Sequence, residues 1–578
     1  MIKGAVPICC VACTIVPWMG SITVAHALQG HGVNQERSCV ISGKVTHRGS
    51  PIKGATIHIK PAPTPEELVI SAEARRLGSV SVGNPMLPPV KSDQNGEFCI
   101  SDIAPGNYTV SAKKSGYMES AFGATTSFES GSIVVIKKDG PYPKIEIDLF
   151  AQAVVTGQVV DPDGDPVDEG SVIVLSVVAL RGSYRTIGIR NVPLNELGEF
   201  RASQLPSGRY YLRFQPPPRP PQQLSGGSDT GPRQMPRLIS TFYPSAVTIT
   251  QAVPVILQAG ESMANIVITA QLQNTYSIRG RLLGLDGYGM GAVMSISPSD
   301  QEQTIIVASG GHLKEDNTFV FDDISSGQYT ITYLDSGPTF VQIPISVANS
   351  DIDDLIVRPP SRVQLKGRIS LDSMDGDVGE VKVALRQGKD RVVGPVYIGK
   401  VSNSGRVTFD TPIPADVYRV VVNTPEGYYI KSIFYGSKDV THGLIDLSDL
   451  AGDLAIVIGA GTGEVEVRVR VSEREQSGGI LHYVVLQSEA DEGAGKVYMS
   501  VTLEDTRAVL KNIPPGRYRA YAFRSLDATS VTVPETLKHL KEFGTPIEVS
   551  ANTLARAAVS VVPALRAAEA FEGSTKYR

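Results

Sequence analysis

Tryptophan is nearly missing. There is one in 578 residues, Trp18, and residues 28–578 contain none. Aromatic residues together make up only 6%. A protein that holds sugar by stacking needs exposed rings with a few polar groups beside them, and here only tyrosine or phenylalanine is left to supply them. Cysteine is just as scarce. Of five, Cys9, Cys10 and Cys13 lie in an apolar leading stretch, and only Cys39 and Cys99 follow it. Neither sign of charge dominates: 54 Lys and Arg against 59 Asp and Glu leave a net −5. That balance excludes the basic footprint of a nucleic-acid or anionic-membrane binder. No apolar run after residue 24 is long enough to cross a bilayer as a helix. G-x-S-x-G elbows, P-loops and G-x-G-x-x-G fingerprints do not occur, so no cofactor is expected.

The leading stretch reads as an export signal. Residues 4–24 are mostly apolar after Lys3, and Ala25-His26-Ala27 has the small-x-small form of a cleavage site. Residues 1–27 are therefore expected to be a signal peptide, with the mature chain starting near Leu28. An uncleaved anchor is the next reading. A lipoprotein at Cys13 is weaker, because Cys10-Val11-Ala12 lacks the usual leucine three before the cysteine. The expected location is exported: periplasm, cell surface or secreted.

What the sequence does have is a repeat. In "DQNGEFCISDIAPGNYTVSAKKSGY" (93–117), Phe98 and Ile100 precede a Pro105-Gly106 pair. Tyr108, Val110 and Ala112 then alternate with polar residues, the period of a strand with one buried face. Pro105 and Gly106 suit the central positions of a type II turn, so the segment is expected to be a β-hairpin. Phe200 and Tyr210, and Phe319 and Tyr329, repeat the ten-residue spacing. A fourth pair places Ala508 ten before Tyr518. The loosest copy keeps Tyr418 but has Asp416 where the glycine stands elsewhere. Matching starts are Ile41-x-Gly43-x-Val45, Val155-x-Gly157-x-Val159, Ile278-x-Gly280-x-Leu282, Leu365-x-Gly367-x-Ile369 and Val465-x-Val467-x-Val469. A glycine on the inward face of a strand marks a bulge or a close approach, with the hairpin aromatic as the candidate cover. A period of about a hundred residues exceeds that of solenoid units and suits whole domains. Each copy holds about seven short strands, the pattern of a β-sandwich.

Gly-x-Val near the start, then Asp-x-x-Gly-x-Phe, then Pro-Gly-x-Tyr-x-Val and Gly-Tyr, resembles the carboxypeptidase regulatory-like domain. The first copy carries it best, in "SGKVTHRGSPIKGATIHI", "DQNGEF", "IAPGNYTV" and "SGY". The resemblance implies an all-β chain: a tandem array of about five seven-stranded transthyretin-like or Ig-like β-sandwiches, with no catalysis of their own. Their expected bounds are 39–150, 151–272, 273–360, 361–459 and 460–564, followed by a tail at 565–578. The first is interrupted by "TPEELVISAEARRLG" (64–78), a short helix by its Thr64 cap, Pro65 and Gly78. The second contains a Pro- and Gly-rich loop at 216–237. "PETLKHLKEFG" (534–544) is a second short helix.

Cys39 and Cys99 leave two readings open. An exported pair favours a disulfide. Against it, Cys39 shares parity with inward Ile41, whereas Cys99 is out of phase with inward Phe98.

Candidate chemistry is thin. His312-x-x-Glu315 with His442 downstream, and His539-x-x-Glu542, have zinc-peptidase spacing. Eight histidines yield about 0.4 such matches by chance, and no separate peptidase domain fits beside the repeats. "DPDGDPVDEG" gathers Asp161, Asp163, Asp165, Asp168 and Glu169, but Gly164 and Val172 break the EF-hand pattern, so a solvated turn is expected. No catalytic, cofactor or metal residue is therefore assigned. The function expected is a non-catalytic scaffold or adhesion-type protein of the cell envelope, its partner an envelope protein or a glycan. The alternative is a carbohydrate-binding protein, with Tyr428 and Tyr429 or Phe242 and Tyr243 as the stacking platform.

Overall fold

The computed structural model describes residues 39–573, apart from segments at 63–86, 126–128, 139, 141–143, 181–182, 218–235, 285–292, 300–308, 311–315, 335–339, 359, 373–380, 388–395, 450–451, 472–479, 490–496 and 503–505. The expected signal at 1–27, the helix at 64–78, most of the Pro-rich loop, and His312 with Glu315 lie outside the described residues. Cys39–Arg578 forms one compact unit.

The chain is all-β, and five seven-stranded Ig-like sandwiches follow one another along it. Each has its own core, spanning Ile41–Leu149, Ala153–Ala270, Tyr276–Val357, Leu365–Ile458 and Val465–Val559. One strand order serves all five. In the first sheet, the first strand lies between the fourth, antiparallel to it, and the seventh, parallel to it. In the second sheet the order is third, second, fifth, sixth. The fourth sandwich departs from this: its third strand, Val396–Val401, pairs with both the second and the fourth. Tyr428–Tyr435 adds outside its seventh strand, so nine strands run in one continuous sheet.

This order corrects the expected hairpin. Glu97–Ile100 lies in the first sheet and Gly106–Lys113 in the second, where it pairs with Thr56–Pro61. The Pro-Gly segment is an arch from one sheet to the other. Gly106, Gly208 and Gly516 have φ near 158°, 158° and 157°, which is extended and not the turn conformation. The space is ordinary at Gly106, where a Cβ would stand 3.4 Å from the Tyr108 ring, and tight only at Gly327, 3.2 Å from Tyr329.

That tyrosine is latched to the residue four before it in every sandwich. Its hydroxyl donates to the carbonyl four residues earlier in four of them: Tyr108 to Ala104 (3.0 Å), Tyr210 to Pro206, Tyr418 to Pro414 and Tyr518 to Pro514 (each 2.8 Å). In the third, Tyr329 Oη instead meets Ser325 Oγ at 2.8 Å, again four residues back. Each bond closes the arch onto the strand it feeds. Where Asp416 replaces the glycine, its carboxylate takes a bond from Gln387 Nε2 and one from the Val417 amide. The arch is therefore held without the glycine.

The glycine of the first strand has a firmer reason. A Cβ on Gly43 would stand 2.3 Å from the Ile145 carbonyl oxygen and 2.7 Å from Phe98 Cζ. On Gly280 the values are 2.3 Å to the Leu355 oxygen and 2.5 Å to Phe319 Cζ. The ladder puts each glycine directly opposite its partner: Gly43 on Phe98, Gly157 on Phe200, Gly280 on Phe319, Gly367 on Val407, and Val467 on Ala508. A phenylalanine partner stands only opposite glycine, and the one copy with Val467 in the first strand has the smallest partner, Ala508.

Elements outside the repeat also find places. Residues 565–578, expected as a tail, contain most of helix Ala564–Gly573, with Ala567 and Ala570 buried. The 534–544 helix is broken into Pro534–Lys538 and a 3-10 turn, Lys541–Phe543. The end of the Pro-rich segment is strand rather than loop: Pro236–Leu238 pairs with Leu272–Asn274 of the third sandwich, and Arg237 bridges Asp323 at 3.0 Å.

Two outcomes are expected in denaturant unfolding of the whole chain. Ala508→Phe alone overpacks the fifth core and costs about 1–3 kcal/mol. Adding Val467→Gly recovers part of that loss, so the double-mutant cycle shows favourable coupling; strict additivity would contradict the volume balance. Tyr518→Phe loses the latch at about 1 kcal/mol, and Tyr518→Ala loses the buried ring as well, about 3 kcal/mol or more. Equal costs for the two would show that the hydroxyl alone matters.

Candidate functional site

Cys39 and Cys99 are bonded, with Cα atoms 5.3 Å apart. Parity does not prevent it, because Cys39 precedes the strand Ile41–His47 and is not bound by its alternation. The bridge ties the entry of the first strand to the outward face of the fourth, where Cys99 stands opposite Ser42.

The expected stacking platforms do not form flat exposed strips. Phe242 is a correction: it is fully buried, in a small cluster with Ile173, Leu175 and Tyr211. The Arg213 guanidinium lies 5.9 Å from its ring centre. Tyr243 is half-buried against the second core. Tyr428 and Tyr429 are neighbours in one strand, so their side chains leave opposite faces. Tyr428 packs on the fourth core, while Tyr429 covers Gly459, where a Cβ would stand 2.5 Å from its Cζ.

The metal-like sets are equally dispersed. His442 follows a turn in which Asp439 accepts from the Thr441 amide and hydroxyl at 2.9 and 2.7 Å. Those bonds, with His442 adding a little, hold the Asp439 carboxyl below the usual range. Glu542 pairs with Arg566 at 3.3 Å, and His539 caps the preceding helix. Asp161 spends its Oδ1 on the amides of Asp163 and Asp165, both at 2.9 Å, which makes the acidic run a self-closed turn. Among the described residues, no three His, Cys, Asp or Glu gather as metal ligands.

The feature that stands apart is a junction of the first and fifth sandwiches. Ile133–Ile136, the sixth strand of the first, is buried at all four positions. Val134 and Ile136 enter its own core. Ile133 and Val135 face the other way, into a core with Tyr483, Tyr521, Phe523, Leu526, Leu537 and Ala570. The sheet itself crosses over: Val134 pairs with Ile480 and Ile133 with Leu481. Four further hydrogen bonds join the two: the Ser130 amide to the Leu526 oxygen (3.0 Å), the Gly131 amide to Ser525 Oγ (3.0 Å), Ser132 Oγ to the Arg524 oxygen (3.1 Å), and Tyr483 Oη to the Gly131 oxygen (3.0 Å). The Arg524 guanidinium lies 5.7 Å from the Phe122 ring centre. Gly131 has φ +77° and a Cβ there would stand 2.5 Å from Ala121 Cβ, so glycine is required at this crossing.

Two carboxyls are buried at this junction. Glu129 is 4% and Asp527 3% exposed. Glu129 accepts from the Thr125 amide and hydroxyl at 2.8 and 2.7 Å, and from Ser525. Burial, with the nearby Asp527 charge adding, pushes its carboxyl above the usual range despite those bonds. Asp527 takes the hydroxyls of Thr529 and Ser530 at 2.8 and 2.6 Å and shapes the loop into Ser530–Thr532. The site binds one segment of chain to another, and the hydroxyls of Thr125, Thr529 and Ser530 are spent on its two carboxyls.

Sequence reading missed this junction. Its signal was there in "SIVVI" (132–136): a continuous apolar run, where a strand with one wet face alternates.

No family model and no curated protein matches the chain. Among solved structures it is similar to GBS52, a minor pilin of Streptococcus agalactiae, at 12% identity over 40% of this chain and 95% of that one (TM-score 0.22). It is also similar to the Bacillus anthracis TIE protein, at 14% over 70% and 73% (TM-score 0.14), and to BcpA, the major pilin subunit of Bacillus cereus, at 12% over 55% and 98% (TM-score 0.12). Scores this low carry no conclusion about role.

Because Phe242 is a core residue and not a platform, Phe242→Ala is expected to cost about 3–5 kcal/mol in thermal or denaturant unfolding. An unchanged midpoint would return the ring to the surface.

Proposed function

We propose that the chain is an exported, non-catalytic scaffold or adhesion-type protein of the cell envelope, built from five transthyretin-like modules of the carboxypeptidase regulatory-like kind. The observation that carries this reading is where the repeat spends its chemistry. The arch tyrosines, the fourth-strand aromatics and the first-strand glycines go into cores and latches. What the repeat specifies is a way to fold, not a site. The strand order, with first and seventh strands parallel, supports the module type. The expected domain bounds, 39–150, 151–272, 273–360, 361–459 and 460–564, are proposed as the modules.

Export is supported by the Cys39–Cys99 bridge, since such bonds persist in oxidising compartments. Among the described residues no helix is long and apolar enough to cross a membrane. The partner is proposed to be an envelope component, protein or glycan.

In fractionated cells the chain should appear outside the cytoplasm, beginning near Leu28, with Cys39 and Cys99 unreactive to thiol reagents until reduced. The purified protein should hydrolyse neither peptide nor glycan panels. Cytoplasmic material with two free thiols would overturn export. Turnover above background would overturn the scaffold reading.

A further inference from the structure

We infer that the junction of the first and fifth sandwiches is a pH-sensitive clasp, closed when Glu129 carries a proton and loosened when it is ionised. The geometry supplies both parts of such a device. One part is an interface that can separate without unfolding either core, since each sandwich has a core of its own. The other is a carboxyl that sits inside this interface and would be wet outside it.

The surroundings of Glu129 decide the direction. From the fifth sandwich it faces Asp527, of like charge, and the Ser525 hydroxyl. Arg524, on the same loop, directs its guanidinium over Phe122, and Tyr483 spends its hydroxyl on the Gly131 oxygen. From its own segment comes Thr125, through its amide and hydroxyl. Lys137 and Lys138 are exposed. The guanidinium of Arg524 is thus placed over the Phe122 ring, and Asp527 is the charged group that acts on Glu129.

The donors that reach Glu129 do not offset its loss of water, and its carboxyl stays above the usual range. In an open junction water would restore the ordinary value. A group that holds its proton more tightly when closed favours closure in acid. Closure is then strongest below the ordinary carboxylate range. It weakens as pH rises, by up to about tenfold in the closed-to-open ratio per pH unit, until the buried carboxyl has ionised. Ile133–Ile136 reports the event, because its pairing with Ile480 and Leu481 exists only in the closed form.

The test is hydrogen exchange on the full-length protein from about pH 4 to about pH 8, a span that covers the ordinary carboxylate value, corrected for intrinsic exchange. Protection at Ile480 and Leu481 should fall across this range, while protection at Val484 and Val485 in the fifth sandwich holds. Glu129→Gln, neutral at every pH, should abolish the fall. Thr125→Val removes a donor that favours the ionised form, so the buried carboxyl keeps its proton to higher pH and the fall should run further and deeper. Three results overturn the proposal: protection flat with pH in the wild type, the same fall in Glu129→Gln, or simultaneous loss at Val484 and Val485. If Glu129→Gln does not fold, Thr125→Val decides: a fall unchanged from wild type overturns the proposal.

Discussion

The closeness of the first strand to its parallel neighbour is the constraint from which the rest of each sandwich follows. In the first three copies the seventh strand's carbonyl comes within 2.1–2.3 Å of where a Cβ would be on the first-strand glycine. No side chain fits there. The missing volume has to be supplied from the facing strand, and Phe98, Phe200 and Phe319 supply it. The fifth copy has Val467 at this position and Ala508 opposite it. A repeat that seemed degraded at that position has exchanged one large and one absent side chain for two small ones.

The tyrosine latch solves a different problem. The chain must leave one sheet after the fourth strand and enter the other at the fifth, and an arch of this kind carries backbone groups that no ladder satisfies. The tyrosine uses its ring to fill the core edge and its hydroxyl to tie down the arch carbonyl. Left-handed residues before the arch, Gln204, Asp323 and Asn512, make the preceding bulge. Two of these are Asp or Asn, which tolerate that conformation best. One motif therefore serves packing, topology and backbone satisfaction at once.

Much of this was legible in the sequence, because period-2 alternation and repeated spacing report local geometry. Tyr108 and its four counterparts, Phe98, and the glycine of the first strand were all visible as a pattern. The pairing partner was not. Strands four and five are adjacent in sequence and joined by Pro-Gly, so a hairpin was the local expectation; only the three-dimensional sheet shows that Glu97–Ile100 and Gly106–Lys113 part company. The platform at Phe242 failed for a related reason. "TFYP" reads as exposed loop, yet Thr241–Phe242 pairs with Arg213–Phe214 beneath a cationic cover. The junction joins residues nearly four hundred apart, and no local rule reaches that far.

The junction also changes what kind of object a string of sandwiches is. Neighbouring domains in a chain meet through small, polar contacts, and relative motion is the default. Here the ends of the array are joined by a continued sheet and a shared core. Burying Ile133 and Val135 is worth about 1.5–3 kcal/mol each. Closing a long loop costs only about 0.6 kcal/mol for each doubling of its length, so the distance in sequence is a minor obstacle. Against that apolar gain stands Glu129, whose burial is costly when it is charged. An apolar residue there would make closure unconditional. Thr125 and Ser525 satisfy the carboxyl without neutralising it, and Asp527 opposes its charge. The net hold between the two ends is therefore the difference between an apolar term that pH does not touch and an electrostatic term that it does.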